Sequence, residues 1–336
     1  SFPTRRSSDL TLANGGKHFI LVGQSKLSKH GIVLQLAVFV VLAGGSMECA
    51  GHQPGTTGSA TFSGSPLAKT MTAVPVVSVS LTETPPPVDM AVSLPTIVQW
   101  QPFELELIVP ITATPNEKYR QVTLTATFHG PAGATFAVSG FWDGGNVWRV
   151  RFAPPKPGEW SYTLDVSDDQ MAATRQTGTF RVEPATADHV TTNPNFRGFL
   201  RVSDNGRYLT YADGTPFFWL GDTIWAGNLM AMAFTADTTD VGPDVAEFPT
   251  YIADRQAKGF TTLQIIAGYP DKPERINEGG STLLPDGTTI NPAYFQWLDR
   301  RIQLIIDSGM VPVITGQWES AVIGLPLAEL KAYWDY

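Results

Sequence analysis

The stretch from Gly198 to Trp225, GFLRVSDNGRYLTYADGTPFFWLGDTIW, constrains the fold more than any other part of this 336-residue chain. Asn205-Gly206 and Asp213-Gly214, dipeptides that favour tight hairpin turns, divide it into three short strands. The third, Phe217 to Leu220, is apolar throughout, as expected of a parallel strand buried on both faces. It leads into Gly221-Asp222-Thr223 and then Trp225. A carboxylate and an indole just past the C-terminal end of such a strand stand where (β/α)8 barrels keep their chemistry.

The residues that follow continue the pattern. A helix is predicted over 243–258, with Pro249 arguing for a break or a late start and Gly259 closing it. Phe260 to Ala267 is a second β-branched, mostly apolar strand. Asn291-Pro292 supplies an N-cap and an N1 proline. From there Phe295, Leu298, Ile302, Ile305 and Ile306 mark an amphipathic helix that Gly309 ends. Val311 to Thr315 reads as a third strand, and a helix begins at Leu327. The order β-α-β-α-β-α calls for a parallel sheet with helical crossovers. A complete eight-fold barrel takes roughly 250 residues, whereas 141 run from Phe196 to Tyr336. An open doubly wound sheet would share the order, but no G-x-G-x-x-G follows the first strand, and Asp and Trp suit a sugar better than a pyrophosphate. The reading is a truncated (β/α)8 TIM barrel over 196–336, its first three βα units.

At the other end, residues 1–10 (SFPTRRSSDL) match one reading frame of a common short-read sequencing adapter and are expected to be an artefact. Residues 11–45 read as a signal-peptide region. Lys17, Lys26, Lys29 and His30 precede the 14-residue apolar run IVLQLAVFVVLAGG, shorter than the roughly 20 residues of a membrane span. Export to the cell surface or beyond, without stable membrane insertion, is the expectation. Cys49, the sole cysteine, excludes an internal disulfide; Glu48 before it disfavours a lipoprotein anchor. Residues 46–92, rich in Gly, Ser, Thr and Pro, read as a linker.

Between 93 and 185 the pattern changes to alternating strands: Phe103–Val109, Val122–Phe128, Val147–Phe152, Trp160–Val166 and Gly178–Val182. Turn signals at Gly130-Pro131, Gly144-Gly145 and Pro157-Gly158 separate them at a spacing that suits an all-β immunoglobulin-like sandwich. Trp148 and Trp160 are assigned to its core. Trp142-Asp143 is placed in a loop, where the indole either packs or meets a sugar.

Charge narrows the partners. The formal net charge is −8, and −12 once the first 45 residues, with five Lys/Arg and one Asp, are set aside. No basic cluster remains to attract phosphates, which disfavours nucleic acid. His129 and His189 are isolated, so neither a metal site nor a cofactor is expected. At the three strand ends stand Asp222 and Trp225, then Gln264, Tyr269 and Asp271, then Gln317, Trp318 and Glu319. Aromatic faces that stack on sugar C–H groups, beside acids and amides that take hydroxyls, make a carbohydrate cleft. Each has a plainer alternative: Asp222 as a backbone cap, Trp225 as core, Gln264 as a buried hydrogen-bonding group, Tyr269 and Asp271 as solvated loop residues.

The segments NGRYLTYADGTPFFWLGDTIW (205–225), DRQAKGFTTLQ (254–264), NPAYFQWLDRRI (291–302) and SGMVPVITGQW (308–318) resemble the N-terminal half of the apiosidase-like catalytic domain, of the glycoside hydrolase family 140 type. PKPGEWSYTL (155–164) is similar to part of the immunoglobulin-like domain that often precedes it. The resemblance implies a secreted hydrolase acting on side chains of plant-type polysaccharides, with its catalytic carboxylates after the fourth and seventh strands, beyond Tyr336. Asp222, Trp225, Gln264, Gln317, Trp318 and Glu319 would then contact polysaccharide or oligosaccharide. The alternative is a non-catalytic surface protein that binds glycans or mediates adhesion.

Overall fold

The computed structural model describes residues 73–80, 96–109, 112–168, 171–235, 247–317 and 324–336. The adapter-like segment, the export signal, Cys49 and most of the linker lie outside the described residues, as do Trp318 and Glu319.

The N-terminal half is built from two facing sheets. Its elements are β1 (Val76–Ser80), β2 (Ile97–Val98), β3 (Phe103–Ile108), α1 (Pro115–Gln121), β4 (Thr123–Gly130), β5 (Ala134–Ser139), β6 (Phe141–Trp142), β7 (Val147–Phe152), β8 (Gly158–Asp168) and β9 (Met171–Glu183). One sheet runs β1-β3-β7-β6 and the other β2-β9-β8-β4-β5. The period of two in β3 and β7 sends Phe103, Leu105, Leu107, Trp148, Val150 and Phe152 inward. There they meet Phe128, Trp160, Tyr162 and Phe180 of the second sheet. Phe128 and Phe152 stack across the gap with centroids 4.1 Å apart. Trp148 and Trp160 are 1% exposed each, as core residues should be. The outer face of β3 and β7 is charged, because the antiparallel register sets Glu104 opposite Arg151 and Glu106 opposite Arg149.

Three features depart from the sequence reading. Val76–Ser80, inside the segment read as linker, forms an edge strand parallel to β3. Trp142 pairs with Trp148 in β6 and β7 instead of lying in a loop; its ring is buried, and its indole N–H donates to the Gly145 carbonyl at 3.2 Å. Thr114, whose hydroxyl accepts from the Glu117 amide, caps a short helix that hydrophobic periodicity did not signal.

After α2 (Ala187–Thr192) comes the antiparallel ribbon β10 (Arg201–Val202), β11 (Leu209–Thr210) and β12 (Pro216–Phe217). Its turns fall where expected, with Gly206 at φ +70° and Gly214 at φ +89°. The apolar run Phe217–Leu220 is not the first parallel strand. Phe217 pairs back onto Leu209, and Phe218, Trp219 and Leu220 cross to the next sheet with 75%, 41% and 37% of their surface exposed. The parallel strand begins one residue later, as β13 (Gly221–Ile224). A side chain at Gly221 would press its Cβ to 2.5 Å from the Thr262 hydroxyl, so glycine is what lets the strands pair there.

The remaining elements are α3 (Glu247–Ala257), β14 (Thr262–Ile266), α4 (Pro292–Asp307), β15 (Val311–Thr315) and α5 (Leu327–Asp335). β13, β14 and β15 are parallel and adjacent in chain order. The helix predicted from 243 is described from Glu247, with Pro249 in its first turn, where the missing amide costs nothing. Asn291 caps α4 by accepting from the Ala293 amide, and Gly309, at φ +80°, follows its end. Ile224, Leu263 and Ile265 of the sheet pack against Phe248, Ile252, Leu298, Leu304 and Ile305 of the helices.

The β domain sits on this half-wrap through α4, α5 and the loop before α4. Ile290 and Tyr333 join the core of the β domain. Arg151 makes a two-pronged ion pair with Asp299, Gln296 donates to Asp143, Asn116 donates to Thr289, and Arg120 pairs with Glu329.

Candidate functional site

The pleat of β13–β15 sorts the strand residues onto two faces. Thr223, Gln264 and Val313 are paired in register and share the face away from the helices. On it the Gln264 amide donates to the Thr315 hydroxyl at 3.0 Å. Asp222, Leu263 and Pro312 share the opposite face, with Ile224 and Ile265 of the helix-packed core.

Asp222 therefore faces α3. One carboxylate oxygen accepts from the Tyr251 hydroxyl at 2.7 Å and from Arg255 Nε at 2.6 Å; the other accepts from the Thr223 amide at 2.8 Å. Partial burial raises its pKa, but those hydrogen bonds and the guanidinium more than offset this and hold the carboxyl below its ordinary range. The expectation that Asp222 stands past the end of its strand is corrected. It lies within β13, because the strand starts at Gly221, and the pleat turns it toward the helix layer.

Trp225 does follow the strand, with half of its surface exposed, and its carbonyl accepts from the Tyr269 hydroxyl at 2.9 Å. Tyr269 is not solvated: it is buried, with the Arg275 guanidinium 4.4 Å from its ring centre. Burial raises its pKa, opposed by that guanidinium. Asp271 is largely covered too, and one of its carboxylate oxygens has no partner among the described residues. Gln317, two residues past β15, is 4% exposed, and neither its amide oxygen nor its amide nitrogen has a partner among the described residues. The structure thus puts Trp225 and Gln317 past the C-terminal ends of their strands, sets Gln264 mid-strand on the face away from the helices, and turns Asp222 toward α3. Trp318 and Glu319 lie outside the described residues.

Beneath these positions is a buried polar layer that the sequence reading missed. Asn228 donates to the Ala267 carbonyl at 2.7 Å and accepts from Asn277, which also donates to the Tyr294 carbonyl. Arg301, fully buried, donates to the Gly227 and Met232 carbonyls and to both oxygens of Glu278 at 2.9 and 2.8 Å. Glu278 in turn accepts from the Phe234 amide at 2.6 Å. Burial lowers the Arg301 pKa while the Glu278 carboxylate opposes that shift. The layer ties the loops after β13 and β14 to α4, which fixes the strand ends. Its signal was available: Arg301 falls in phase with Tyr294, Leu298 and Ile305 on the buried stripe of α4, where a cation demands a partner.

Among the described residues, no group of three or more His, Cys, Asp and Glu could hold a metal ion, and no helix is long and apolar enough to cross a membrane.

No curated protein sequence matches the chain. Among solved structures, it is similar to a provisionally assigned glycoside hydrolase from Bacteroides vulgatus, at 23% identity and TM-score 0.46 over 66% of this chain and 41% of that one. It is also similar to a family 39 glycoside hydrolase from Bacteroides cellulosilyticus, at 11% identity and TM-score 0.20, over 64% and 42% of the two chains. The chain thus spans about two fifths of the length of these two solved structures. Residues 96–167 match the model of a domain of unknown function, DUF5060. Residues 203–332, which contain the ribbon and all three parallel strands, match the model described as the apiosidase-like catalytic domain, and so form a glycoside hydrolase-like domain.

Proposed function

We propose that this chain carries the immunoglobulin-like domain and the first three βα units of a (β/α)8 barrel from a secreted glycoside hydrolase that acts on side chains of plant-type polysaccharides. The observation that carries the reading is the match of residues 203–332 to the apiosidase-like catalytic domain. The strand ends support it. Trp225 offers an exposed aromatic face at the end of β13. Gln317 holds a buried amide whose oxygen and nitrogen have no partner among the described residues, an arrangement that leaves both open to a ligand. A pair of neighbouring sugar hydroxyls, one donating and one accepting, matches that amide. Gln264 lies between them in the sheet, and Trp318 and Glu319 follow Gln317 in the sequence.

In this reading the three strands bind substrate, and the acid/base pair belongs to later strands. Glycoside hydrolysis needs two carboxylates about 5 to 9.5 Å apart across the scissile bond. Asp222 is not one of them, because one of its oxygens is engaged by Tyr251 and Arg255 on the helix side and the other by the Thr223 amide. A non-catalytic glycan-binding role has one observation in its favour: among the described residues just past the three strands, Asp271 is the carboxylate with an unpartnered oxygen, and it stands alone.

The test is calorimetric titration of the chain with neutral oligosaccharides, alongside incubation with arabinan and pectic side chains and chromatography of the products. Saturable binding that Trp225→Ala weakens about tenfold or more, without released sugar, is expected. Released sugar would refute the placement of the catalytic pair on later strands. Failure to bind any polysaccharide would refute the carbohydrate reading.

A further inference from the structure

The seam between the β domain and the half-wrap holds a cavity of about 190 Å³. One wall comes from the β domain, as Phe141 of β6 and Arg151 of β7; the other comes from Phe295 and Asp299 of α4, Trp334 of α5 and Tyr336 just after it. The floor is backbone at Ala267 and Gly316, each the first residue after a parallel strand, β14 or β15. The cavity therefore lies at the ends of β14 and β15, one residue before Gln317. It far exceeds the roughly 10–15 Å³ that one water needs and has room for one sugar ring.

We propose that this seam is a subsite for a single neutral sugar ring, completed by the β domain; the proposal rests on the carbohydrate reading above. Aromatic faces and hydrogen-bonding groups alternate around it, as ring recognition requires. Trp334 is half exposed, with its six-membered ring beside Gly316. Phe141 and Phe295 meet Tyr336 edge to face, at 5.9 and 5.1 Å between centroids, which holds the aromatic wall rigid. Arg151 lies over the Phe141 ring at 4.7 Å and pairs with Asp299, so a donor and an acceptor are fixed side by side at the rim.

Charge selects the kind of ring. Arg151 and Arg149 are shared among Glu104, Glu106, Asp143 and Asp299, four carboxylates around two guanidiniums. On the wall itself Arg151 and Asp299 balance, but the cluster behind them holds two more carboxylates than guanidiniums, and both cations are already engaged. A uronate would bring a further negative charge with no free cation to meet it, whereas a neutral ring brings hydroxyls that the Asp299 oxygens can accept.

The experiment titrates the chain with arabinotriose, galactotriose and xylotriose, and with trigalacturonate, by calorimetry and tryptophan fluorescence. Wild type is expected to bind at least one neutral trisaccharide at least tenfold more tightly than trigalacturonate. Trp334→Ala should weaken the neutral ligand about tenfold or more, as truncation of a central aromatic anchor does. Asp299→Asn keeps the shape of the wall and removes one negative charge, so it should narrow the neutral-to-uronate ratio; this readout does not depend on how well Trp334→Ala folds. Neutral binding that survives Trp334→Ala and Phe141→Ala but falls with Trp225→Ala would overturn the seam subsite and leave the carbohydrate reading standing. Absence of all binding in wild type would overturn both. Equal affinity for trigalacturonate and the neutral sugars would overturn the charge selection.

Discussion

Replacing Glu278 by Gln tests whether the buried polar layer holds the strand ends together. Gln has nearly the shape of Glu, so the change removes a charge and little else. In the native structure Glu278 accepts two contacts from Arg301 and one from the Phe234 amide, while the Arg301 side chain has no accessible surface. Arg cannot shed its proton in a protein, so the variant leaves a buried cation facing only neutral groups. Breaking a buried pair in this way costs roughly 3–5 kcal/mol. Carbonyls of Gly227, Met232 and Trp297 still accept from the guanidinium, which argues for the lower end, about 3 kcal/mol. For a folded unit of this size that is a fall in Tm of about 6–12 °C. The assay is urea unfolding at pH 7 followed by tryptophan fluorescence, with Arg300→Met as a control. Arg300 neighbours Arg301 but lies exposed against Trp297, so its loss should stay within about 0.5 kcal/mol. The double variant Glu278→Gln with Arg301→Met should cost less than the sum of the single changes, since the second removes the stranded charge. If Glu278→Gln costs under about 1 kcal/mol with an unchanged denaturant slope, the layer is not the brace described.

Three further outcomes follow from the same geometry. Gly279→Ala should destabilise by about 1–3 kcal/mol, because a Cβ there would lie 2.1 Å from the Ala293 carbonyl oxygen, at the fixed first turn of α4; a thermal melt within 1 °C of wild type would refute that packing. Asp222→Asn should destabilise at pH 7, and its deficit should shrink as the pH falls. The native carboxyl is held below its ordinary value, so its contribution is present above about pH 4 and is lost as pH drops through the lowered pKa; a deficit constant between pH 7 and pH 3 would exclude the Tyr251–Arg255 anchor. Phe295→Ala should split one unfolding transition into two, since Phe295 packs against both hydrophobic cores; a single transition by both fluorescence and far-ultraviolet dichroism would show that other contacts couple the halves.

Local chemistry made much of this structure legible in the sequence. Asn291-Pro292 and Gly309 bound α4 because caps and left-handed glycines act within a few residues. Val311–Thr315 was readable from β-branching, and the two hairpin turns from Asn-Gly and Asp-Gly. What escaped depends on partners distant in sequence. Val76–Ser80 looks like linker because its strand character comes from pairing with Phe103–Ile108. Phe217–Leu220 looks like a buried strand because its apolarity is real, yet the ribbon claims Phe217 and the crossing leaves the rest exposed. That displaced the first parallel strand and with it the place of Asp222. Trp225, Gln264 and Gln317 stand out in the sequence as candidates, but the face each takes and its burial are not specified by a single sequence. Asn228, Asn277 and Glu278 were invisible in a loop whose polar residues look solvated.

The orientation of the strand ends depends on α4 being held from two sides at once. Its period of 3.6 gives it two working faces. Leu298, Arg301 and Ile305 turn toward the sheet and the buried layer, while Phe295, Gln296 and Asp299 turn toward the β domain. A helix gripped by its inner face alone could still rock, because interfaces between domains default to motion unless they are extensive and apolar. Here the core of the β domain runs on through Ile290 and Tyr333, and Phe295 contributes to both cores. Tyr333 also donates to the Gly316 carbonyl, one residue before Gln317. Packing in the β domain is thus transmitted by short, buried contacts to the ends of β14 and β15. The β domain therefore braces the strand ends, and if the proposed carbohydrate reading holds, changes in it should alter glycan binding even where no β-domain residue touches the sugar.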